Sequence, residues 1–309
     1  MGRPVGPMAA WIDGRRALRR SHGGARANPW GRRSVPASAS PALEPFGRFG
    51  QKPHMSGHVA AICRHPVKGF TPESLTHVEL APGEGFPHDR IWAVENGPSG
   101  YDPEAPAFTP KQKFTVLAAI PKVAAARTRY DEASGVFTAE APGAPAFAGR
   151  LADAQGRQAF AAWLTEVLGA DNLRGPLKVV EARGPFRFTD HPLGQVSIIN
   201  LASVRDLSEK IGVELDPRRF RANLYVDGWP AWAENEWTGR ELMVGWGRAR
   251  VVKPIVRCAA TEVDPTTAVR DLEVVKALFD NYGHMFCGIY VQMTSAGRVG
   301  LGDAATAPQ

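Results

Sequence analysis

Cys258 has the widest chemical reach of the residues in this chain. It stands in KPIVRCAATEVDP, just past an apolar strand-like run and ahead of an Asp264-Pro265 turn. Arg257 adjoins it, and a neighbouring cation lowers a thiol pKa and favours the thiolate that ligates metal or attacks an electrophile. The competing reading is a buried core cysteine, which is what most free cysteines are. Three basic residues stand at comparable junctions: Lys68 in HPVKGF, Arg90 in PHDRIWAV and Arg221 in RRFRANLYVDG. Each adjoins a strand end punctuated by Pro or Gly, where side chains can converge on a cleft. Converging cations suit a phosphorylated anion, because Arg binds phosphate bidentately and Lys as a point charge. Taken singly, each reads more readily as a solvated surface charge. No Walker loop, GxGxxG after a strand, GxSxG or HExxH occurs, and the eight histidines show no metal-ligand spacing.

The elements that must position these residues are mostly short strands. Runs at 59–63, 77–80, 91–94, 123–130 and 136–141 are broken by Gly and Pro, as in a barrel or sandwich. A helix follows Asp153, with Phe160, Trp163, Leu164, Val167 and Leu168 on one face and Gly169 as its stop. Strands resume at 177–182 and 195–200. A short helix over 203–212 has Ser203 as its expected N-cap, and a strand follows at 223–227. Further strands are expected at 241–245, 248–256, 289–293 and 299–303, with an amphipathic helix near 270–281. The simplest division is two β-rich units with a helix-bearing join near 150–180.

The chain has 309 residues, 44% hydrophobic and 22% charged, the composition of a globular protein with a real core. No apolar run is long enough for a membrane-spanning helix. Three cysteines, Cys63, Cys258 and Cys287, are too few and too far apart for a disulfide framework, a zinc ribbon or a four-cysteine iron–sulfur cluster. The odd count fits a reducing compartment, and a cytoplasmic location is expected. The net charge of +6 would suggest nucleic acid, but its distribution does not. Nine Arg and one Lys stand against Asp13 and Glu44 in residues 1–54, so the rest of the chain is slightly acidic. The basicity belongs to a tail, and no nucleic-acid partner is expected for the body. That tail, residues 1–55, reads as disordered. It is an organelle transit peptide, a nucleic-acid-binding arm, or a segment preceding a true start at Met55.

HPVKGF, DRIWAV, FTPKQK, FRANLYVDG, AENEW and RCAATEVDP occur in the order and approximate spacing of the MOSC proteins, and the chain resembles that family over residues 58–303. The family is named for the C-terminal domain of molybdenum cofactor sulfurase and includes the mitochondrial amidoxime-reducing components and their bacterial relatives. The resemblance implies an α+β, β-rich fold: an N-terminal MOSC β-barrel domain, placed at 56–180, and a MOSC β-barrel domain with a few peripheral helices, placed at 181–305. It implies the molybdenum cofactor, Mo-molybdopterin, with Cys258 as the thiolate ligand to the metal and the catalytic residue. Lys68, Arg90 and Arg221 fall on cations that hold phosphate and pterin, with Arg257 beside them. Asn223 and Asp264 fall on positions that shape the pocket. Asn200 to Ser203 resemble a segment whose backbone N–H groups face the cofactor, and Thr109, Lys111 and Gln112 one that edges the substrate side. Two positions depart from the family pattern: Gly69 and Val256 stand where serine is common, so two hydroxyl donors are missing.

By that resemblance the expected activity is reduction of small N-hydroxylated compounds from N–OH to N–H. Electrons would come from a separate protein of ferredoxin, flavoprotein reductase or cytochrome b5 type. The alternative is a sulfur carrier or cofactor-handling protein that uses Cys258 as persulfide or ligand.

Overall fold

The computed structural model describes residues 55–192 and 196–308; the basic tail and Gln195 lie outside the described residues. The first strands are β1 (Ser56–Arg64), β2 (Glu73–Leu75), β3 (His77–Leu80), β4 (Trp92–Asn96), β5 (Arg127–Asp131), β6 (Val136–Glu140) and β7 (Phe147–Gly149). Helix α1 (Ala154–Leu168) leads to β8 (Leu177–Glu181) and β9 (Val196–Asn200), and α2 (Leu201–Ile211) to β10 (Leu224–Asp227). Then come β11 (Glu241–Val244), β12 (Gly247–Val256), α3 (Val274–Tyr282), β13 (Phe286–Met293), β14 (Gly297–Gly300) and β15 (Ala304–Thr306).

Seven strands close a barrel in the order β10-β9-β13-β12-β11-β15-β1, with β1 returning to pair with β10. The pairs around it are antiparallel except β9 and β10. A parallel neighbour needs a crossover rather than a hairpin, and α2 supplies it. Alternation decides which side faces in. In β11 Leu242 and Val244 are buried while Glu241 and Met243 face out. Val59, Ile198, Leu224, Val226, Val251, Ile289 and Val291 fill the interior beside Trp229 and Trp237.

The remaining strands form small sheets: β4 with β8, β5-β6-β7, and β3 with β14. A second core joins the first two of these, with Phe70, Trp92 and Phe137 packed on the buried stripe of α1, Phe160, Trp163, Leu164, Val167 and Leu168, whereas Val78, Leu80 and Val299 of the β3–β14 pair belong to the barrel core. Gly169 ends α1 as its sequence announces. Asp153 holds the N-cap position but makes no side-chain cap bond.

Two expectations are corrected. The run 123–130 is strand only from Arg127; Pro121–Ala125 is a 3₁₀ turn, because proline at its start fixes a helical φ. Asn200, not Ser203, caps α2, its side chain accepting from the Ala202 N–H at 3.1 Å. Ser203 lies inside the helix, buried against Glu234.

Candidate active site

The chain from His65 to Phe70 brings the first cation in. Lys68 is only 5% exposed, and its Nζ donates to the carbonyl of Phe188 at 3.0 Å and to the carboxylate of Asp190. Burial pulls its pKa down, and Asp190 works against that fall. Gly69 has φ +89°, and a Cβ there would lie 2.5 Å from the carbonyl of Thr115. The glycine at this family serine position is therefore a requirement of this backbone.

Arg90 and Arg221 follow from two loops, both with left-handed φ, 51° and 54°. Arg90 pairs through Nη1 with Asp89, and Nη2 donates to the carbonyl of Arg221 at 3.0 Å. Arg221 donates from Nη1 to the carbonyl of Phe70 at 2.6 Å. Burial, with Arg90 beside it, lowers the Arg221 pKa to about 10. Asp89 is buried, yet Arg90 and the His65 N–H, 2.6 Å away, hold its carboxyl well below the usual range. His65 itself is fully buried; burial and the neighbouring Arg221 press its pKa down to about 3, so the ring is neutral.

The third approach is β12. Its register slips between Val251 and Lys253 and again between Pro254 and Val256, and the in–out alternation fails over Val252, Lys253 and Pro254. Bulges of this kind re-aim side chains, and a proline is tolerated at one because it has no ladder N–H to lose. Here Lys253 to Val256 turn toward a cleft, and the strand then delivers Arg257 and Cys258. Arg257 spends its donors on the carbonyls of Cys287 and Phe220, at 2.7 and 2.8 Å, and so braces the wall.

These approaches enclose a cleft of about 360 Å³. Seven cationic side chains line it: Lys68, Arg90, Lys111, Arg219, Arg221, Lys253 and Arg257. Asp190 is the only carboxylate among the residues that line it. Arg219 is compensated elsewhere by Asp264 and Asp271. Arg90 is likewise paired with Asp89, outside the lining, so five cations remain against Asp190 and the cleft is built for an anion. Cys258 lines it and is partly exposed, whereas Cys63 and Cys287 are buried, with burial pushing their thiols up to about 11 and 12. Lys111 stands beside Cys258; burial opposes its charge, but Asp190 and Cys258 together raise its pKa.

The structure thus brings together Cys258, Lys68, Gly69, Arg90, Lys111, Arg221 and Arg257. Asn200, Ser203, Asn223, Asp264, Thr109 and Gln112 are not among the lining residues. Asn200 Nδ2 and Ser203 Oγ both donate to the buried Glu234 at 2.8 Å. Asn223 Oδ1 accepts from the Ser197 N–H and hydroxyl, at 3.1 and 2.8 Å, and so fixes Ser197, which does reach the cleft. Asp264 accepts from the N–H groups of Thr266 and Thr267 and orients Arg219. Gln112 is exposed, and the Thr109 hydroxyl donates to the carbonyl of Ala107 at 3.2 Å. Sequence reasoning missed Asp190, Lys253, His191 and Tyr290. His191 stacks on Tyr290 with ring centroids 5.9 Å apart.

Among the described residues, no group of three or more His, Cys, Asp or Glu side chains could hold a metal ion. A metal in this cleft would therefore take most of its ligands from a bound organic group, with Cys258 as the protein's donor. A soft thiolate beside anion-binding cations fits a phosphorylated dithiolene cofactor.

The MOSC N-terminal beta barrel domain matches residues 56–173 and the MOSC domain residues 185–306. Molybdenum cofactor sulfurase of Danio rerio is 26% identical, over 81% of this chain and 34% of its own. That of Caenorhabditis elegans is 34% identical, over 43% of this chain and 18% of its own. Mitochondrial amidoxime-reducing component 1 of Mus musculus is 29% identical, over 34% of each chain. The chain spans about a third or less of the length of these curated relatives. Among solved structures, the YUAD protein of Bacillus subtilis aligns over 83% of this chain at 13% identity and a TM-score of 0.39. With the two domains in order from residue 56 to residue 306, this chain belongs to the MOSC family.

Proposed function

We propose that the cleft binds the molybdenum cofactor as Mo-molybdopterin and that the protein reduces N-hydroxylated compounds. The observation that carries this reading is the placement of the partly exposed thiol, Cys258, in a cleft with a surplus of cations and with no metal-ligating cluster among the described residues. The reaction consumes two electrons and two protons, converting N–OH to N–H and water. When bound, the cofactor supplies the two-electron redox chemistry and the affinity for oxygen.

The chain's own residues do the rest. Lys68, Arg90 and Arg221 take the phosphate and pterin. Their burial strengthens each contact, because few waters remain to screen it. Cys258 gives a thiolate, kept within reach by the 3₁₀ turn Ala259–Glu262, whose Thr261 N–H and hydroxyl donate to the Cys258 carbonyl at 2.9 and 3.0 Å. Lys111 keeps its proton at Nζ beside that thiol, ready for an incoming hydroxyl. His191, Tyr290 and Lys253 offer a flat wall and a further charge to the substrate. Electrons come from a separate redox protein.

The alternative use of the same thiol is as a persulfide carrier, favoured by its exposure beside Lys111. Molybdenum content separates the two readings. Protein from cofactor-competent cells should hold near-stoichiometric molybdenum, largely lost in Cys258→Ala, and should reduce benzamidoxime with an artificial donor. Metal-free wild type carrying a persulfide on Cys258 would replace the reductase with the carrier.

A further inference from the structure

A second cavity opens beside the cation-lined cleft. It measures about 210 Å³ and shares Thr189 with the cleft, on the segment that leads to Asp190. Its walls are aromatic and prolyl: Phe86, Phe108, Phe186, Pro106 and Pro185, with Arg187 among them. Phe86 is 1% exposed and makes the floor, and Phe108, 55% exposed, stands at the lip. Phe186 is braced by Tyr101 and Phe188, with ring centroids 5.7 and 5.3 Å away.

Arg187 is out of keeping with those walls. Its Nη1 donates to the carbonyls of Gly184 and Phe186, at 2.8 and 2.7 Å. Its Nε is cut off from solvent and has no partner. Among the described residues no carboxylate pairs with it directly; burial lowers its pKa, and Asp89 and Glu84 oppose that fall only through longer-range attraction. Asp89 also lines the cavity, but it is committed to Arg90 and to the His65 N–H. A half-buried guanidinium without a directly paired carboxylate is costly, and an unsatisfied buried donor asks for a partner. Gly85, in the same wall, packs beside the Arg187 side chain, where a Cβ would lie 3.4 Å from Cγ and 3.9 Å from Nε, both ordinary contacts.

We infer that this cavity is a binding site for a small aromatic carboxylate. The ring lies among the Phe and Pro side chains, and the carboxylate supplies the counter-ion that Arg187 lacks. The single free cation and the cavity volume suit one carboxylate on a one- or two-ring body better than a polyphosphate. The inference is independent of the cofactor proposal, since none of its groups except the shared Thr189 lines the other cleft.

Isothermal titration of the full chain with benzoate and 1-naphthoate tests it, with benzyl alcohol as the uncharged probe and pyrophosphate as competitor for the cation-lined cleft. Saturable binding with a millimolar or tighter Kd is expected, weaker for benzyl alcohol and not displaced by pyrophosphate. Arg187→Gln should weaken it at least tenfold, about 1.4 kcal/mol. Should that variant fail to fold, Phe108→Ala, at the exposed lip, should weaken 1-naphthoate severalfold. The inference is overturned by the absence of saturable binding, by displacement with pyrophosphate, or by unchanged affinity in a folded variant.

Discussion

Arg90 donates from Nη2 to the carbonyl of Arg221 across 3.0 Å, tying together two cations whose backbones both occupy the left-handed region. Such conformations cost roughly 1–3 kcal/mol each and persist only where the surroundings over-determine them. Here Asp89 holds the Arg90 guanidinium and the Phe70 carbonyl holds that of Arg221. Two like charges are therefore set side by side before any anion arrives. Their mutual repulsion is available to be relieved by a ligand.

Arg90→Ala should fail on two counts. It removes a cation from the cleft, and it leaves buried Asp89 without its counter-ion, which costs about 3 kcal/mol or more. Urea denaturation should show that loss. Arg221→Ala leaves no carboxylate stranded, so cofactor retention should fall with a smaller change in stability.

Cys258→Ser should leave the denaturation midpoint within the reach of about 1 kcal/mol, since the side chain is half-exposed and the turn is held by main-chain atoms. Metal analysis should show the molybdenum lost or greatly reduced.

Gly69→Ser would add a hydroxyl beside Lys68, and it should be harmful. Serine at φ +89° pays about 1–2 kcal/mol for a left-handed backbone, and its Cβ meets the Thr115 carbonyl at 2.5 Å. A melting-temperature drop without any gain in cofactor retention is the expected outcome.

Acid should destabilise the fold early. His65 has a folded pKa near 3 against 6.5 in the unfolded chain, so between those values the unfolded state binds the extra proton. Stability is complete above pH 6.5 and declines as pH falls, by up to about 1.4 kcal/mol per pH unit from this group. Asp89, whose folded pKa is depressed, adds a further loss below its ordinary value of 3.8. Denaturation at a series of pH values should give a shallower slope between pH 6.5 and 5 for His65→Gln than for wild type.

The strand pattern was legible wherever alternation or Gly and Pro punctuation marked it, as at His77–Leu80 and Glu241–Val244. Ala304–Thr306 was not, because three small residues carry no alternation; its place is set by pairing with β1 and β11. In the site, Lys68, Arg90, Arg221 and Cys258 stood at visible strand ends. Lys253 was hidden inside a strand, since only the bulges around it turn it to the cleft. Asp190, His191 and Tyr290 depend on segments meeting across the fold, which no local spacing records. Ser203 was the cap read from the sequence, but the buried Glu234 takes its hydroxyl and the Asn200 Nδ2, leaving Asn200 Oδ1 to cap the helix.

The closure of the barrel by β1 bears on how the chain is made. Ser56 pairs with Thr306 and His58 with Asp227, so the first strand has no complete set of neighbours until the last has been synthesised. Its apolar residues, Val59 and Ile62, must wait for Val226 and Leu224 of β10. Long-range pairing of this kind slows folding and prolongs exposure of an unpaired edge. During synthesis, then, β1 is the segment that a chaperone would have most reason to hold.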